Sequence, residues 1–358
     1  MENRGLLFIP DISGFTRFVN ETEINHSRLI IQELLEILID ANQVGLEVSE
    51  IEGDAILFYK FGEAPGLEEL YKQVEKMFCA FHSNLAAYEA RRFCQCKACI
   101  SAIHLTLKVI THYGEFTGYN VQHFNKLIGK DIIVAHQLLK NDIEQHEYWL
   151  VTTSLLHNNP PAGFAEWMTW NISAKQTENG AVPFHYTQLS QLKNNIQPEP
   201  VPPLDLSQKV KMISITKEYH TGIIELFHAT GDFNYRGRWL HGVKAVEEVN
   251  HFLPRVGMKC RALMENGQST IYSSSYSYSP EKIEFSETDE TNRSTSNYTL
   301  EKTGNNTTKL TFDYYIEKNI LNVLKFSLLY KKEKEDTFHK SLQNLVELVK
   351  EIKLPASV

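Results

Sequence analysis

The first half of the chain alternates between short apolar runs and longer stretches with helical spacing. Leu6–Ile9 is an apolar run suited to a buried strand, and apolar residues recur at helical spacing between Ser27 and Asn42. Two β-rich arms from Val48 to Tyr59 predict a hairpin around Glu52-Gly53-Asp54. The pattern next predicts a helix at Leu67–Phe93 and a strand at His104–His112 that turns at Tyr113-Gly114-Glu115. A helix at Asp131–Leu139 and a strand at Trp149–Thr153 follow. This β-α-β-β-α-β order predicts an α+β domain with a ferredoxin-like split βαβ arrangement.

The second half is rich in strands and ends in a helix. Thr270–Ser279 and Asn297–Tyr315 alternate with a period of two, and Gly304-Asn305-Asn306 predicts a turn within the second stretch. From Phe338 to Ile352, apolar residues step by four and three positions, which places one apolar stripe along a single helix of about five turns. An antiparallel sheet that closes on this stripe is the expected architecture.

A proline-rich stretch separates the two halves. Lys193–Leu204 holds four prolines, which stiffen the backbone and remove amide donors, so neither a helix nor an inner strand runs through it. We therefore expect one domain over residues 1–195, a linker over 196–205 and a second domain over 206–358.

Composition narrows the class of protein. With 42% hydrophobic and 22% charged residues, the sequence is typical of a folded soluble protein. Its 36 Lys and Arg against 44 Asp and Glu give a net charge of −8, which predicts no nucleic-acid and no membrane partner. No apolar run is long enough to span a bilayer, and the N-terminal residues lack the pattern of a signal peptide. Five Cys are an odd count for a secreted disulfide framework, so a cytoplasmic location is expected.

Two acidic residues are expected at the same end of the first domain's sheet. Asp11 follows the first strand and Asp54 lies at the tip of the next hairpin, and these two segments are neighbours in a ferredoxin-like sheet. Two close carboxylates repel each other unless a cation lies between them, and Mg²⁺ prefers such oxygen ligands while keeping positions open for phosphate. Gly14-Phe15-Thr16 then opens a helix whose free amides attract an anion. The alternative is an Asp helix cap together with an ordinary Asp-containing turn.

These residues resemble motifs of the class III nucleotidyl cyclase homology domain. The family's first-strand motif, an Asp followed by a hydrophobic residue, a small residue and Gly-Phe-Thr, is similar to Asp11-Ile-Ser-Gly-Phe-Thr16. Its hairpin Gly-Asp-Ala resembles Gly53-Asp54-Ala55, and its strand with a basic residue and His-x-Gly resembles Lys108-Val-Ile-Thr-His112-Tyr-Gly114. The resemblance covers roughly residues 5–190.

The resemblance implies a metal-dependent nucleotide site. Asp11, Asp54 and the carbonyl of Ile12 would bind two ions, Mg²⁺ or Mn²⁺, and the segment from Gly14 to Thr16 would contact the nucleotide. The ions would hold a nucleoside triphosphate while its 3′-hydroxyl attacks the α-phosphorus and pyrophosphate leaves. Family members form head-to-tail dimers that share the site across the interface, so the resemblance also implies a homodimer.

The sequence departs from the family pattern on the helix after Gly129. The family carries an Asn and, four residues later, an Arg that stabilises the transition state; these positions hold Ile133 and Gln137 here. A missing Arg in related chemistry costs about 10³–10⁵ in rate. His136 and Asn141 are the neighbours that would have to substitute. We therefore expect a binding or regulatory protein; an active cyclase with non-standard residues and a structural scaffold with vestigial aspartates stay open as alternatives.

The positions that read the base in the family hold Glu50 and Lys126. The resemblance implies that Glu50, as in guanylyl-type members, accepts from the ring N–H and amino group of guanine while Lys126 donates to its O6. The favoured alternative is a salt bridge between the two side chains, without a ligand.

Three cysteines within six residues, Cys94, Cys96 and Cys99, follow Cys79 on the preceding helix. Four thiolates suit tetrahedral Zn²⁺, although the usual signature has two separated C-x-x-C pairs. Buried thiols without a metal and a labile disulfide are the alternatives. His112 is expected to be a satisfied strand residue rather than a catalytic base.

Three features of the second domain carry a resemblance: Trp239-Leu-His-Gly-Val-Lys-Ala-Val-Glu247, Arg255-Val-Gly-Met258 and the long C-terminal helix. Together they resemble the START-like, polyketide-cyclase-type (SRPBCC) helix-grip superfamily. The fold implies a cavity between sheet and helix that takes a hydrophobic small molecule. By parity, Tyr272, Tyr276 and Tyr278 share one strand face, where they line that cavity or pack against the core or surface.

Overall fold

The structure, a computed structural model, describes residues 3–94, 96–157, 161–177, 180–197, 201, 203–265 and 267–352. The chain divides into two compact units: Met1–Glu89 with Lys97–Glu199, and Ala90–Cys96 with Pro200–Val358. Residues 198–200 and 202 of the predicted linker lie outside the described residues. None of the described helices combines the length and apolarity needed to cross a bilayer.

The described part of the first unit contains a seven-stranded sheet and a separate two-stranded hairpin. Its strands are β1 (Arg4–Ser13), β2 (Glu47–Glu52), β3 (Ala55–Phe61), β4 (Thr106–Glu115), β5 (Thr117–Val121), β6 (Phe124–Ile128), β7 (Tyr148–Thr152), β8 (Asn171–Thr177) and β9 (Gly180–Gln188). The sheet order is β2-β3-β1-β4-β7-β9-β8, and β5 pairs with β6. β4 and β7 are parallel, whereas the other neighbouring strands are antiparallel.

The helices of this unit follow the predicted periodicity closely. They are α1 (Phe15–Glu21), α2 (Ile24–Asp40), α3 (Leu67–Arg91), α4 (Lys97–Ser101) and α5 (Lys130–Leu139). The apolar stripe of α2 is buried at Leu34 and Leu38, and that of α3 is buried at Phe78 and Phe81. β1 is buried on both faces, since Leu6–Ile9 has almost no exposed surface. A central strand covered on both sides accounts for the continuous apolar run in its sequence.

Strand β4 corrects one predicted turn. The pattern predicted a strand from His104 that turns at Tyr113-Gly114-Glu115, but His104 ends a short 3₁₀ helix and β4 continues to Glu115. The antiparallel ladder with β1 includes a partner for every residue of β4. Gly114 is needed for a close approach rather than a turn, because a Cβ there would lie 2.3 Å from Cγ of Asp131.

The second unit is a seven-stranded antiparallel sheet with a long C-terminal helix, within the described residues. Its strands are β10 (Lys209–Tyr219), β11 (Val243–Glu248), β12 (Lys259–Met264), β13 (Gly267–Ser279), β14 (Lys282–Asp289), β15 (Thr295–Gly304) and β16 (Thr307–Glu317), in the order β10-β16-β15-β14-β13-β12-β11. The helices are α6 (Ile223–Gly231), α7 (Arg236–Trp239), α8 (Ile320–Lys325) and α9 (Lys331–Glu351). A mixed α+β architecture is therefore confirmed.

The stripe predicted from Phe338 lies on α9, which buries Leu342, Leu345 and Leu348 against the sheet. Aromatic rings fill much of the space on the sheet side; Phe285 stacks on Tyr298 with ring centroids 4.6 Å apart. The interior that the helix covers is therefore largely packed with side chains.

Tyr272 does not share a strand face with Tyr276 and Tyr278, so the prediction from parity is wrong for this residue. β13 carries a bulge between Ser273 and Ser275, so Tyr272 pairs with Thr288 whereas Tyr276 pairs with Phe285. Thr288 and Phe285 are three positions apart, so they lie on opposite faces of β14. Their partners Tyr272 and Tyr276 therefore also lie on opposite faces, although they are four positions apart in the sequence. A bulge changes parity without leaving a mark in the hydrophobic pattern.

Candidate functional site

Asp11 and Asp54 lie at the same end of the first unit's sheet, which we call the acidic rim. β1 and β3 run antiparallel with Asp11 opposite Ala55, and the N–H of Ile12 donates to the carbonyl of Asp54 at 3.0 Å. The turn between β2 and β3 therefore rests directly beside the end of β1. Gly53 has a φ of +64°, a left-handed conformation that favours glycine in this turn.

Burial acts on both carboxyl groups, and the charge of Asp11 also acts on Asp54. Asp11 is 8% exposed, and burial raises its pKa although the ammonium of Lys108 partly opposes this effect. Burial also raises the pKa of Asp54, to about 6, and the negative charge of Asp11 adds to the increase. The effect of one carboxylate on the pKa of the other reflects their closeness. The acidic rim thus holds two acids that resist being charged together.

Lys108 is the counter-ion already present at the acidic rim. Its Nζ lies 3.3 Å from Oδ1 of Asp11 and donates to the carbonyl of Leu139 at 3.2 Å. The β1–β4 register places Lys108 directly opposite Asp11. The sequence indicated Lys108 only through the resemblance to the family's strand motif. Its position beside Asp11 depends on the register of β1 and β4, which the sequence does not show. One ammonium faces two carboxyl groups, so ionisation of both leaves an excess of negative charge.

An open cleft of about 390 Å³ adjoins the acidic rim. Its lining includes Ser13, Gly14, His104, Thr106 and His146. The hydroxyl of Ser13 is buried and has no hydrogen-bond partner among the described residues. The cleft thus offers open space and polar groups beside the turn that follows Asp11.

The predicted phosphate-contacting segment forms the start of α1. Gly14 is the N-cap with a φ of +90°, and it supplies no side-chain cap to the amides of the first turn. Thr16 is exposed, whereas Phe15 packs towards the hairpin, because a Cβ on Gly53 would lie 3.6 Å from its ring. Gly14 and Thr16 therefore face solvent, and Phe15 braces the two turns against each other.

The positions of the family's Asn and Arg carry no cation in this fold. Ile133 is 55% exposed, and Oε1 of Gln137 is buried without a hydrogen-bond partner in the described part of the chain. His136 lies on α5 with its Nδ1 3.5 Å from a carboxylate oxygen of Glu52.

Asn141, the other candidate substitute, has a structural role. Its amide donates to the carbonyl of Leu138 at 2.7 Å and to the hydroxyl of Tyr148 at 2.6 Å, and its oxygen accepts from the N–H of Ile143. These bonds cap the end of α5 and occupy the side chain. Its amide and carbonyl groups are already engaged in the fold.

Glu50 and Lys126 form an ion pair, the arrangement that the sequence favoured over base recognition. The hydrogen bond and charge of Glu50 raise the pKa of the Lys126 ammonium. The Glu50 side chain is 20% exposed, so this pair links the β2–β3 hairpin to the β5–β6 hairpin at a half-covered position.

His112 is a satisfied strand residue, as predicted. Its Nε2 lies 3.0 Å from Oδ1 of Asp131, and its Nδ1 lies 2.9 Å from the hydroxyl of Thr152. The other Asp131 oxygen accepts from the N–H of Glu115 at 2.6 Å. Burial opposes ionisation of Asp131, but these hydrogen bonds outweigh it and keep the pKa of Asp131 below its usual value. The His-x-Gly pattern here fixes α5 against β4.

The four predicted cysteine ligands differ in their surroundings. Cys99 is buried on α4, accepts from the hydroxyl of Tyr88 at 2.9 Å and lies 3.4 Å from Nδ1 of His26. The N–H of Cys96 points to Sγ of Cys94 at 3.5 Å, and neither sulfur is in a disulfide. Cys79 lies on α3, where burial and the charge of Glu75 raise the pKa of its thiol. His26, whose Nδ1 faces Cys99, is a nitrogen donor that the sequence pattern did not indicate, because it lies far from the cysteines along the chain.

Comparison with known families and sequences gives two matches to proteins without an established function. A family model described as "Protein of unknown function (DUF2652)" matches residues 31–148, a stretch that includes Asp54 but not Asp11. An uncharacterized protein of Mycobacterium tuberculosis, Rv2561/Rv2562, is 31% identical over 123 residues, which is 34% of this chain. The chain spans 56% of the length of that relative.

Solved structures similar to this chain include nucleotidyl cyclases. A bacterial light-regulated adenylyl cyclase is 17% identical with a TM-score of 0.38, covering 55% of this chain and 100% of its own. The adenylyl cyclase CyaB from P. aeruginosa is 14% identical with a TM-score of 0.34, covering 52% and 94%. The catalytic core of a rhodopsin-guanylyl cyclase in complex with ATPalphaS is 12% identical with a TM-score of 0.37, covering 52% and 96%. At these identities and scores, the likeness assigns no activity to this chain.

Proposed function

We propose that the acidic rim binds a divalent cation and, through it, the phosphates of a nucleoside triphosphate, and that the protein works as a binding or regulatory module. One observation carries the proposal. Asp11 and Asp54 meet at one end of the sheet, where Lys108 forms an ion pair with Asp11, and burial together with the charge of Asp11 raises the pKa of Asp54 to about 6. A divalent cation relieves this repulsion.

The groups at the acidic rim fit a hard cation. Two carboxylates and the carbonyl of Ile12 are oxygen donors of the kind that Mg²⁺ and Mn²⁺ prefer. Lys108 competes for Asp11, but its ammonium already has a second partner in the carbonyl of Leu139. When bound, the cation would supply positive charge for phosphate oxygens. Ser13 and the uncapped first turn of α1 would bind the remaining phosphate oxygens from the adjoining cleft.

Binding without efficient turnover is the form of this function that the residues favour. Phosphoryl transfer depends on positioned positive charge, and α5 offers Ile133 and Gln137 where the family has Asn and Arg. His136 is held near Glu52 and Asn141 is engaged in capping. We expect cyclic nucleotide formation to be very slow or absent.

The proposal also includes a ferredoxin-like fold for the first unit and a helix-grip fold for the second. The strand order β2-β3-β1-β4 is the one expected for a ferredoxin-like split βαβ domain. The antiparallel sheet packed on α9 supports a START-like helix grip, whereas a hydrophobic small molecule as its ligand rests on the resemblance alone. A homodimer in the cytoplasm completes the proposal.

Thermal unfolding of the full chain tests the nucleotide site. ATP, GTP, CTP and UTP are added in turn with Mg²⁺ or Mn²⁺, and a ligand at 100 times its dissociation constant adds about 2.7 kcal/mol to the free energy of unfolding. Asp54→Asn should abolish this gain, whereas Asp40→Asn, an exposed Asp at the end of α2, should retain it. An equal gain in wild type and Asp54→Asn, or no gain with any nucleotide, would reject the proposal.

Product analysis of the same mixtures separates binding from turnover. We expect unchanged nucleoside triphosphate. A cyclic nucleotide that forms with wild type and is lost in Asp54→Asn would instead establish the active cyclase alternative.

We also propose a structural Zn²⁺ that has Cys99 among its ligands. Ligands of tetrahedral zinc lie roughly 3.5 Å apart, and the sulfur of Cys99 and Nδ1 of His26 are separated by 3.4 Å. Metal analysis of the purified full chain should find about one zinc per chain, and Cys99→Ser should lower that content. Wild-type protein without zinc that binds none on titration would contradict this.

A further inference from the structure

The helix that follows β16 exposes a continuous run of apolar side chains. We call residues 318–332, from the end of β16 to the start of α9, the basic-apolar segment. Six of its large apolar side chains are between 45% and 80% exposed: Ile320, Leu321, Leu324, Leu328, Leu329 and Tyr330. Single exposed apolar residues are ordinary on protein surfaces, but a contiguous patch marks a contact surface.

The exposure follows from the helix having two apolar faces. The side chain of Asn319 caps α8 by accepting from the N–H groups of Leu321 and Asn322, and the helix continues through a π-helical turn at Phe326–Tyr330 into α9. Phe326 is buried against the core and stacks on Tyr314 with ring centroids 5.8 Å apart. The opposite face carries positions 320, 321, 324 and 328, which are neighbours on a helix surface. One apolar face is thus covered by the unit and the other is left uncovered.

The charge of the basic-apolar segment is opposite to that of the whole chain. It contains Lys318, Lys325, Lys331 and Lys332 and no Asp or Glu, in a protein whose net charge is −8. All four lysines are exposed, and in the described part of the chain none of them forms an ion pair. The Lys325 ammonium lies 5.8 Å from the centre of the Tyr330 ring. Within the segment, positive charge therefore lies on either side of the exposed apolar face.

We propose that the basic-apolar segment docks the protein on an anionic membrane surface. The helix would lie in the plane of the interface, with Leu324 and Leu328 inserted among the lipids and the lysines against anionic headgroups. A second copy is a poorer occupant, because a symmetric contact through this face would bring two sets of four lysines together. The proposal departs from the expectation of no membrane partner, which considered net charge and long apolar runs and not this local pattern.

Vesicle sedimentation with the full chain tests the docking. We expect binding to phosphatidylcholine vesicles that contain about a third phosphatidylserine, little binding to phosphatidylcholine alone, and a decline with added salt. Leu328→Glu should weaken binding at least about tenfold. Ile172→Glu, an apolar side chain on β8 that is 75% exposed against 80% for Leu328, should leave binding unchanged.

The charge contribution has its own matched control. Lys331→Gln with Lys332→Gln should weaken binding to the anionic vesicles about 25-fold, at about fivefold per lysine. Lys340→Gln with Lys350→Gln removes the same charge from exposed positions further along α9 and should have far less effect. All these side chains are exposed, so the variants should keep the wild-type melting temperature.

Three results would overturn the proposal. The first is equal binding to neutral and anionic vesicles. The second is equal weakening by the two lysine pairs. The third is absence of vesicle binding; if chain association is then lost in Leu328→Glu, the face is an interface between copies.

Discussion

The two units differ in whether their buried charges are balanced. In the second unit, Arg236 and Glu287 are almost fully buried and form an ion pair, one positive charge against one negative. In the first unit, Asp11 and Asp54 share the single ammonium of Lys108. Buried charges that balance are part of the architecture, whereas a surplus of one sign is relieved by a proton or, as we propose for the acidic rim, by a bound cation.

A second pair shows that the difference belongs to the site and not to the unit. His112 and Asp131 are also in the first unit, and their hydrogen bonds to each other and to neighbouring groups leave the pKa of Asp131 below its usual value. Burial alone therefore does not distinguish the acidic rim. The distinguishing feature is two carboxyl groups for one cation.

The largest effect should come from breaking the balanced pair. Arg236→Met leaves Glu287 buried without its partner and should lower the free energy of unfolding by about 3–5 kcal/mol, measured by urea denaturation. The guanidinium also lies 5.2 Å from the Phe233 ring centre, so packing changes as well. Arg236→Met combined with Glu287→Leu should recover most of the loss. A single variant as stable as wild type would show that this pair is not architectural.

A smaller effect should come from crowding the His112–Asp131 contact. Gly114→Ala places a Cβ 2.3 Å from Cγ of Asp131 and should destabilise the protein by about 1–3 kcal/mol in the same measurement. Gly237→Ala is the matched control, since no heavy atom lies within 4 Å of its added Cβ. Equal stability of the two variants would mean that Asp131 has room to move.

Removing a charge from the acidic rim should stabilise the protein, whereas removing one from the Arg236–Glu287 pair should destabilise it. The pKa of Asp54 rises on folding from 3.8 to about 6, so the fold favours the protonated acid. That contribution is fully present below pH 3.8 and is lost as pH rises through about 6. Without divalent cations, the melting temperature of Asp54→Asn should therefore lie a few degrees above that of wild type at about pH 7–8. The two melting temperatures should be equal near about pH 4.

The same titration predicts the pH dependence of cation binding. Mn²⁺ must bind the ionised carboxylate, so the stabilisation that it gives should increase as pH rises through about 6. Thermal unfolding with and without Mn²⁺ across this range measures it. A flat profile, or an Asp54→Asn variant less stable than wild type at pH 7–8, would remove the contrast between the two units.

The smallest effect is expected at the Glu50–Lys126 pair. Lys126 is well exposed, and such surface pairs add little to stability, so Lys126→Ala should change the melting temperature by no more than about one degree. A clear decrease would show that the pair is as structural as Arg236–Glu287.

Local patterns account for the parts of the fold and site that were predicted. The helical spacing of α2 and α3, the hairpin that carries Asp54 and the stripe on α9 each depend on residues within one element. The meeting of Asp11 and Asp54 was also predictable, since the order of elements makes β1 and β3 neighbours.

The rest could not be predicted, because it depends on register and on exposure. The pairing of β1 with β4 places Lys108 against Asp11, and a bulge in β13 separates the faces of Tyr272 and Tyr276. Both are decided by residues far apart in the sequence, and a shift of one position would change every contact.

The sequence by itself determined the alternating strands and helices of the first half, the strand-rich second half, the long terminal helix and the acidic pair, because periodicity and order are properties of a chain read locally. Only the tertiary structure decided that Lys108 forms an ion pair with Asp11 and that His112 forms a hydrogen bond with Asp131. It also decided that one face of α8 remains exposed to solvent. The physical reason is desolvation: whether a charge is balanced or an apolar side chain is covered depends on what the rest of the fold brings against it.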